Sequence, residues 1–107
     1  MGDVDRLRER ARADLAAGRV DDALAAFHAA GSAAGVLPAH DPRRIALAGE
    51  HAEAVFVHRD DPGAALEIAL PAYEAAADAI DDAGEHPDAV RELLALRDRM
   101  TFWAFRS

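Results

Sequence analysis

The sequence has no cysteine, which excludes disulfides, thiolate catalysis and Cys-based zinc sites. Lysine, asparagine and glutamine are missing too, so all 12 basic residues are arginine. They are outnumbered by 20 acids, and the formal charge is −8. That balance disfavours nucleic acid and anionic membrane as partners, because phosphates are repelled before contact. No run approaches the roughly 18 apolar residues of a spanning helix. The opening stretch MGDVDRLRER is charged and has no apolar centre, unlike a signal peptide. A cytoplasmic protein is expected on these grounds. There is no Gly-rich phosphate loop and no HExxH, and Ser32 and Ser107, the only serines, lie in no nucleophile context. Neither catalysis nor a cofactor is expected. Two histidines seven apart, His51 and His58, with Glu50 and Asp60 nearby, hint at a metal site, but nothing fixes a third ligand. The period-2 alternation of strands is absent as well.

What remains is helix-forming sequence, rich in Ala, Leu, Arg and Glu. At 107 residues the chain is read as one helical domain, 1–107. A chain of that size buries roughly 65% of its unfolded surface and folds alone with modest stability. Five helices are predicted. The first spans Asp3 to Ala17, with Val4, Leu7, Ala11 and Leu15 as its apolar stripe. Gly18 and Arg19 turn the chain into the second, Val20 to Ala34, which faces Ala23, Phe27 and Ala30 inward. After the connection Gly35 to Asp41, Asp41 reads as an N-cap and Pro42 as the first residue of a third helix ending at His58. Its stripe is Ile45, Ala48, Ala52 and Val55. The fourth runs from Pro62 to Ala83 on Leu66, Ala69, Tyr73, Ala76 and Ile80, with Pro71 predicting a kink.

The last helix, Pro87 to Arg106, reads as the element that organises the rest. It holds the only tryptophan, Trp103, on a stripe with Val90, Leu93, Leu96 and Met100. Trp103 is expected to be buried where this helix meets the fourth. Phe102 and Phe105 point off the stripe. The shift that takes Ala23 to Ala65 also takes Phe27 to Ala69 and Ala30 to Ala72, so the first four helices read as two related hairpins. Gly18, Ala23, Phe27 and Ala30 follow the small-and-aromatic spacing of a tetratricopeptide hairpin.

Longer stretches carry a more specific likeness. Pro42-Arg43-Arg44-Ile45-Ala46-Leu47-Ala48, then Phe56, Asp61-Pro62-Gly63-Ala64-Ala65 and Ala72-Tyr73-Glu74-Ala75-Ala76, resemble the seventh and eighth helices of a 14-3-3 protein. Leu96-Arg97-Asp98-Arg99-Met100-Thr101-Phe102-Trp103 resembles the ninth, and Asp14-Leu15-Ala16-Ala17-Gly18 the end of the fifth. The resemblance covers nearly the whole chain but only the C-terminal half of the family. It implies an all-α fold: two antiparallel helical hairpins plus a C-terminal closing helix, in a tetratricopeptide-like or half 14-3-3-like right-handed array. It also implies a groove that holds peptides, phosphorylated ones in that family. One arginine of the family's phosphate cradle falls on Arg10, with Ala11 at the neighbouring tyrosine position. The asparagines that hold peptide backbone fall on Glu50 and Arg99, and a carboxylate at Glu50 repels phosphate unless an arginine pairs with it.

The residues therefore read as a protein- or peptide-binding adaptor. The expected groove lies between the third and fifth helices, floored by Leu47, Leu93 and Leu96 and rimmed by Glu50 and Arg99. Arg6, Arg10, Arg44 and Arg99 are the basic candidates for reading an anion there or, alternatively, solvated charges paired with nearby acids. Arg6 and Arg10 share one face of the first helix, Arg8 and Arg12 another. The alternative is an assembly unit without a groove ligand. A homodimer is expected, through a patch joining Phe102 and Phe105 to Val4 and Leu7.

Overall fold

The computed structural model describes residues 2–107. Five α-helices follow one another: α1 (Asp3–Ala16), α2 (Val20–Ala33), α3 (Pro42–Arg59), α4 (Pro62–Ala79) and α5 (Pro87–Arg106). No strand occurs among the described residues, so the fold is all-α. Pro42, Pro62 and Pro87 each open a helix, where the missing N–H has no partner to lose. The Asp41 carboxylate accepts the Arg43 N–H at 2.9 Å, and that of Asp61 accepts the Ala64 N–H at 2.9 Å; these cap α3 and α4.

The two hairpins turn alike. Gly18, between α1 and α2, has φ 80°. Asp60, its counterpart at the shift that takes Ala23 to Ala65, has φ 51° and ψ 43° between α3 and α4. Both are left-handed, the conformation that ends a helix and reverses the chain.

Helix α4 ends at Ala79, four residues before the end its sequence suggests. Ile80 is already extended. Asp81 and Asp82 would lie at the negative end of the helix dipole, which disfavours further turns. Asp82 instead accepts the Gly84 N–H at 2.9 Å and forms a local turn. Pro71 is accommodated inside α4, leaving the Glu67 carbonyl without its helical donor.

Packing centres on α3 rather than on the last helix. One buried cluster joins Ile45 and Ala52 of α3 to Ala65, Ala69 and Ala76 of α4 and to Ala89, Leu96 and Trp103 of α5. A second joins Leu47 and Ala54 of α3 to Ala11 of α1 and to Ala26, Phe27 and Ala30 of α2. Leu47 follows Ile45 by two residues, and Ala54 follows Ala52 by two. Two residues are about 200° of helix rotation, so the two pairs face opposite ways. A single apolar stripe on α3, as its sequence suggests, misses this second face. Alanine dominates both clusters and lets the helices approach closely. The largest fully buried side chains are Trp103, Phe27, Ile45 and Leu47.

Trp103 is 1% exposed and lies with its indole 6.3 Å from the Phe56 ring, between α3 and α5 and against α4. Trp103→Ala is expected to cost about 3–5 kcal/mol, much of the stability of a domain this small. Urea unfolding measures it, and a loss below about 1 kcal/mol would mean the cavity collapses or the indole is not core. Asp60→Gly relieves a left-handed aspartate and is expected to raise stability, by up to about 1 kcal/mol, in the same assay.

Candidate functional site

Helices α1, α3 and α5 contribute to one charged recess. Arg8 and Arg12 stand one turn apart on α1 and both reach across to Glu50, in the middle of α3. Arg8 Nε donates to Glu50 Oε1 at 2.6 Å, and Arg8 Nη2 donates to the same oxygen. Arg12 Nε donates to Oε2 at 3.0 Å and Arg12 Nη2 to Oε1 at 2.8 Å. Lysine has no such planar fork, so a chain whose bases are all arginine suits this geometry. Burial would raise the Glu50 pKa, but hydrogen bonds from Arg12 and Arg8, and their charges, outweigh it and hold the carboxyl below its ordinary value. The hydrogen bond to Glu50 raises the pKa of Arg12 in turn, against a smaller opposing effect of burial.

Arg99 enters from α5. Its Nη1 lies 3.0 Å from where a Cβ on Gly49 would stand, and Leu96 Cδ1 lies 3.6 Å from the same point. Gly49 thus lets the guanidinium lie directly on the α3 backbone. No carboxylate is within 4.0 Å of Arg99 among the described residues. Two adjoining hollows share Glu50 and Arg99. One, of about 190 Å³, includes Arg8, Ile45, Glu92 and Leu96; the other, of about 220 Å³, includes Arg12, Leu15, Val57 and His58.

Glu50, Leu96 and Arg99 therefore meet as the sequence suggests, and three other expected groove residues do not join them. Leu47 is fully buried in the α1–α2–α3 cluster, on the far side of α3 from Ile45. Leu93 packs against the α3–α4–α5 cluster and lines neither hollow of the recess. Arg10 lines a shallow hollow between α1 and α2, beside Leu7 and Asp22. It sits two residues from both Arg8 and Arg12, hence on the opposite edge of the α1 stripe. Arg8 and Arg12 take its place, and they supply the pairing that Glu50 needs.

The expected dimer patch is also divided. Val4 and Leu7 are half-buried against the α1–α2–α3 cluster and do not lie beside the aromatic end of α5. Phe102 is 50% exposed, edge-on to Phe56 with ring centroids 5.6 Å apart, and Phe105 is 88% exposed. His51 and His58 part company as well: His58 is exposed by the recess, whereas His51 stacks on Phe27 at 5.8 Å. Among the described residues no group of three or more His, Asp or Glu is placed to hold a metal ion. No described helix is long and apolar enough to cross a membrane. No protein-family model matches the chain, and neither does any curated protein.

The lowered pKa of Glu50 sets a pH dependence. Its folded-state value lies below its unfolded one, so the ionised group stabilises the fold above the ordinary value of 4.5. That contribution is lost as pH falls from there through the folded-state pKa. Glu50→Gln is expected to be less stable than the parent near neutral pH by on the order of 1 kcal/mol, and the gap should close in acid. Urea midpoints across the acid range measure it; a gap independent of pH would mean the carboxylate's charge is not what matters.

Proposed function

We propose that the protein is a peptide-binding adaptor, not an enzyme, and that it takes an extended segment of a partner protein along the α1–α3–α5 recess. The observation that carries this reading is Arg99, a cation with no carboxylate within 4.0 Å among the described residues, lying in a recess whose central acid, Glu50, is already engaged by Arg8 and Arg12, while Glu92 and Glu53 line its two hollows. Such an arrangement favours an acidic or phosphorylated side chain of the guest at Arg99, with apolar guest residues over Leu15, Leu96 and Val57. The resemblance of the α3, α4 and α5 sequences to 14-3-3 helices points the same way. Because the protein carries −8 overall, attraction must come from short-range contact and not from its long-range field. Binding should therefore be modest and weakened by salt.

Fluorescence anisotropy with three versions of one labelled peptide, carrying serine, glutamate or phosphoserine at the central position, tests this. The two anionic peptides are expected to bind, the serine peptide about tenfold more weakly, and Arg99→Ala is expected to erase the difference. Equal binding of all three, or binding indifferent to Arg99→Ala, would end the reading.

A second reading rests on a different observation, the exposure of Phe105 and Phe102 at the end of α5. In it, two copies pair through this aromatic surface about a two-fold axis. Light scattering at micromolar concentration should then give a dimer that Phe105→Asp converts to a monomer; a monomeric parent refutes it.

A further inference from the structure

On the side of α3 away from the charged recess, α2, α3 and α4 enclose a cleft of about 260 Å³. That is many times the ~30 Å³ of a single water, and somewhat below the ~300–1,000 Å³ typical of drug-sized ligand sites. Its walls are chiefly apolar, with Phe27 from α2 and Ile68 and Pro71 from α4. Gly31 leaves the α2 wall bare, and a Cβ built there would meet nothing within 4 Å. The space is thus not filled by a neighbouring side chain.

Two polar groups interrupt this apolar lining, both from α3. Arg44 is half-buried, and its Nη1 donates to the Leu37 carbonyl at 2.8 Å, which fixes the guanidinium. No carboxylate lies within 4.0 Å of it among the described residues, although the protein has 20 acids. One side of the fork is therefore held by backbone while the remaining donors have no acidic partner. About two turns further along α3, His51 stacks on Phe27, the rings nearly parallel at 13°. Burial, and to a lesser degree the charge of His28, lowers the His51 pKa, which favours the neutral ring as a hydrogen-bonding group.

We propose that this cleft binds a small organic acid, with its apolar body between Phe27 and Ile68 and its carboxylate on Arg44. An apolar chamber with one fixed, unneutralised guanidinium selects a molecule that has both parts. A short apolar compound lacks the anion, and a bare anion such as acetate lacks the body. The site is separate from the peptide recess and does not depend on it.

Phenylacetate serves as the probe, followed in ¹H–¹⁵N spectra of the intact protein. Saturable shifts at Gly31, Arg44 and His51 are expected, with a Kd on the order of 0.1–1 mM for a ligand of this size. Phenylacetamide, of the same shape but uncharged, and acetate should each bind at least about tenfold more weakly. Arg44→Gln should cause a similar loss. Gly31→Leu should fill the cleft and abolish binding, and its helical spectrum and melting temperature should match or exceed the parent's, since leucine is the better helix former. Arg99→Ala should leave phenylacetate affinity unchanged, which separates this site from the peptide recess. Shifts that fail to saturate below about 10 mM, equal affinity for the amide, or binding retained by a folded Gly31→Leu variant would each overturn the proposal.

Discussion

Burial of α3 on two opposite faces is the constraint on which everything else depends. At about 100° per residue, Ile45 and Ala52 face one core, and Leu47 and Ala54 face the other. The two remaining quarters of the helix surface are left between the cores. One quarter carries Ala46, Glu50, Glu53 and Val57, and it borders the recess shared with α1 and α5. The other carries Arg44, Ala48 and His51, and it borders the cleft shared with α2 and α4. Both recesses are consequences of the same arrangement. Neighbouring helices gather on the two apolar faces and cannot close over the strips between them.

The cores themselves are built mostly from alanine. A buried alanine removes little apolar area compared with leucine, so close approach of the helices must compensate through dispersion contacts. Space is consequently tight where the helices touch, and larger side chains at Ala52, Ala65 or Ala69 would push them apart. The few bulky residues sit at defined places. Phe27 fills the first hairpin, and Trp103 closes the second against α5. At the position in the second hairpin that corresponds to Phe27, the chain has Ala69, and α5 supplies the missing bulk from outside.

Local chemistry was readable in the sequence because it depends on neighbours a few residues away. Pro42, Pro62, Pro87 and the Asp41 cap mark helix starts, and Gly18 marks a turn. The buried stripes of α1, α2 and α5 follow from spacing alone, including Trp103. The end of α4 was harder to read, since Asp81 and Asp82 oppose a helix only through their charge at its terminus and no proline or glycine stops it sooner. The second face of α3 was obscured because Leu47 and Ala54 look like ordinary helix residues once Ile45 and Ala52 have been assigned inward. The choice between Arg10 and the Arg8–Arg12 pair was beyond local reasoning. Both flank the α1 stripe, one on each edge, and only the way the first hairpin leans on α3 decides which edge faces Glu50. The cleft beside Arg44 left no sequence signal either, because its emptiness depends on what α4 fails to cover.

The Glu50 network also has a mechanical meaning. Helix α1 packs chiefly on α2 and shares one buried cluster with α3 through Ala11, but across the recess itself it reaches α3 through two guanidinium arms. The gap between them is therefore gauged by the length of an arginine. A packed interface resists being opened from the first fraction of an ångström, whereas a pair of long charged struts can lengthen, pivot and re-form. The first hairpin is thus moored to the rest of the molecule more loosely at this edge than at its α2 side. The ion pairs that span the recess weaken with ionic strength and acidity, whereas the packing of the two alanine cores does not depend on charge.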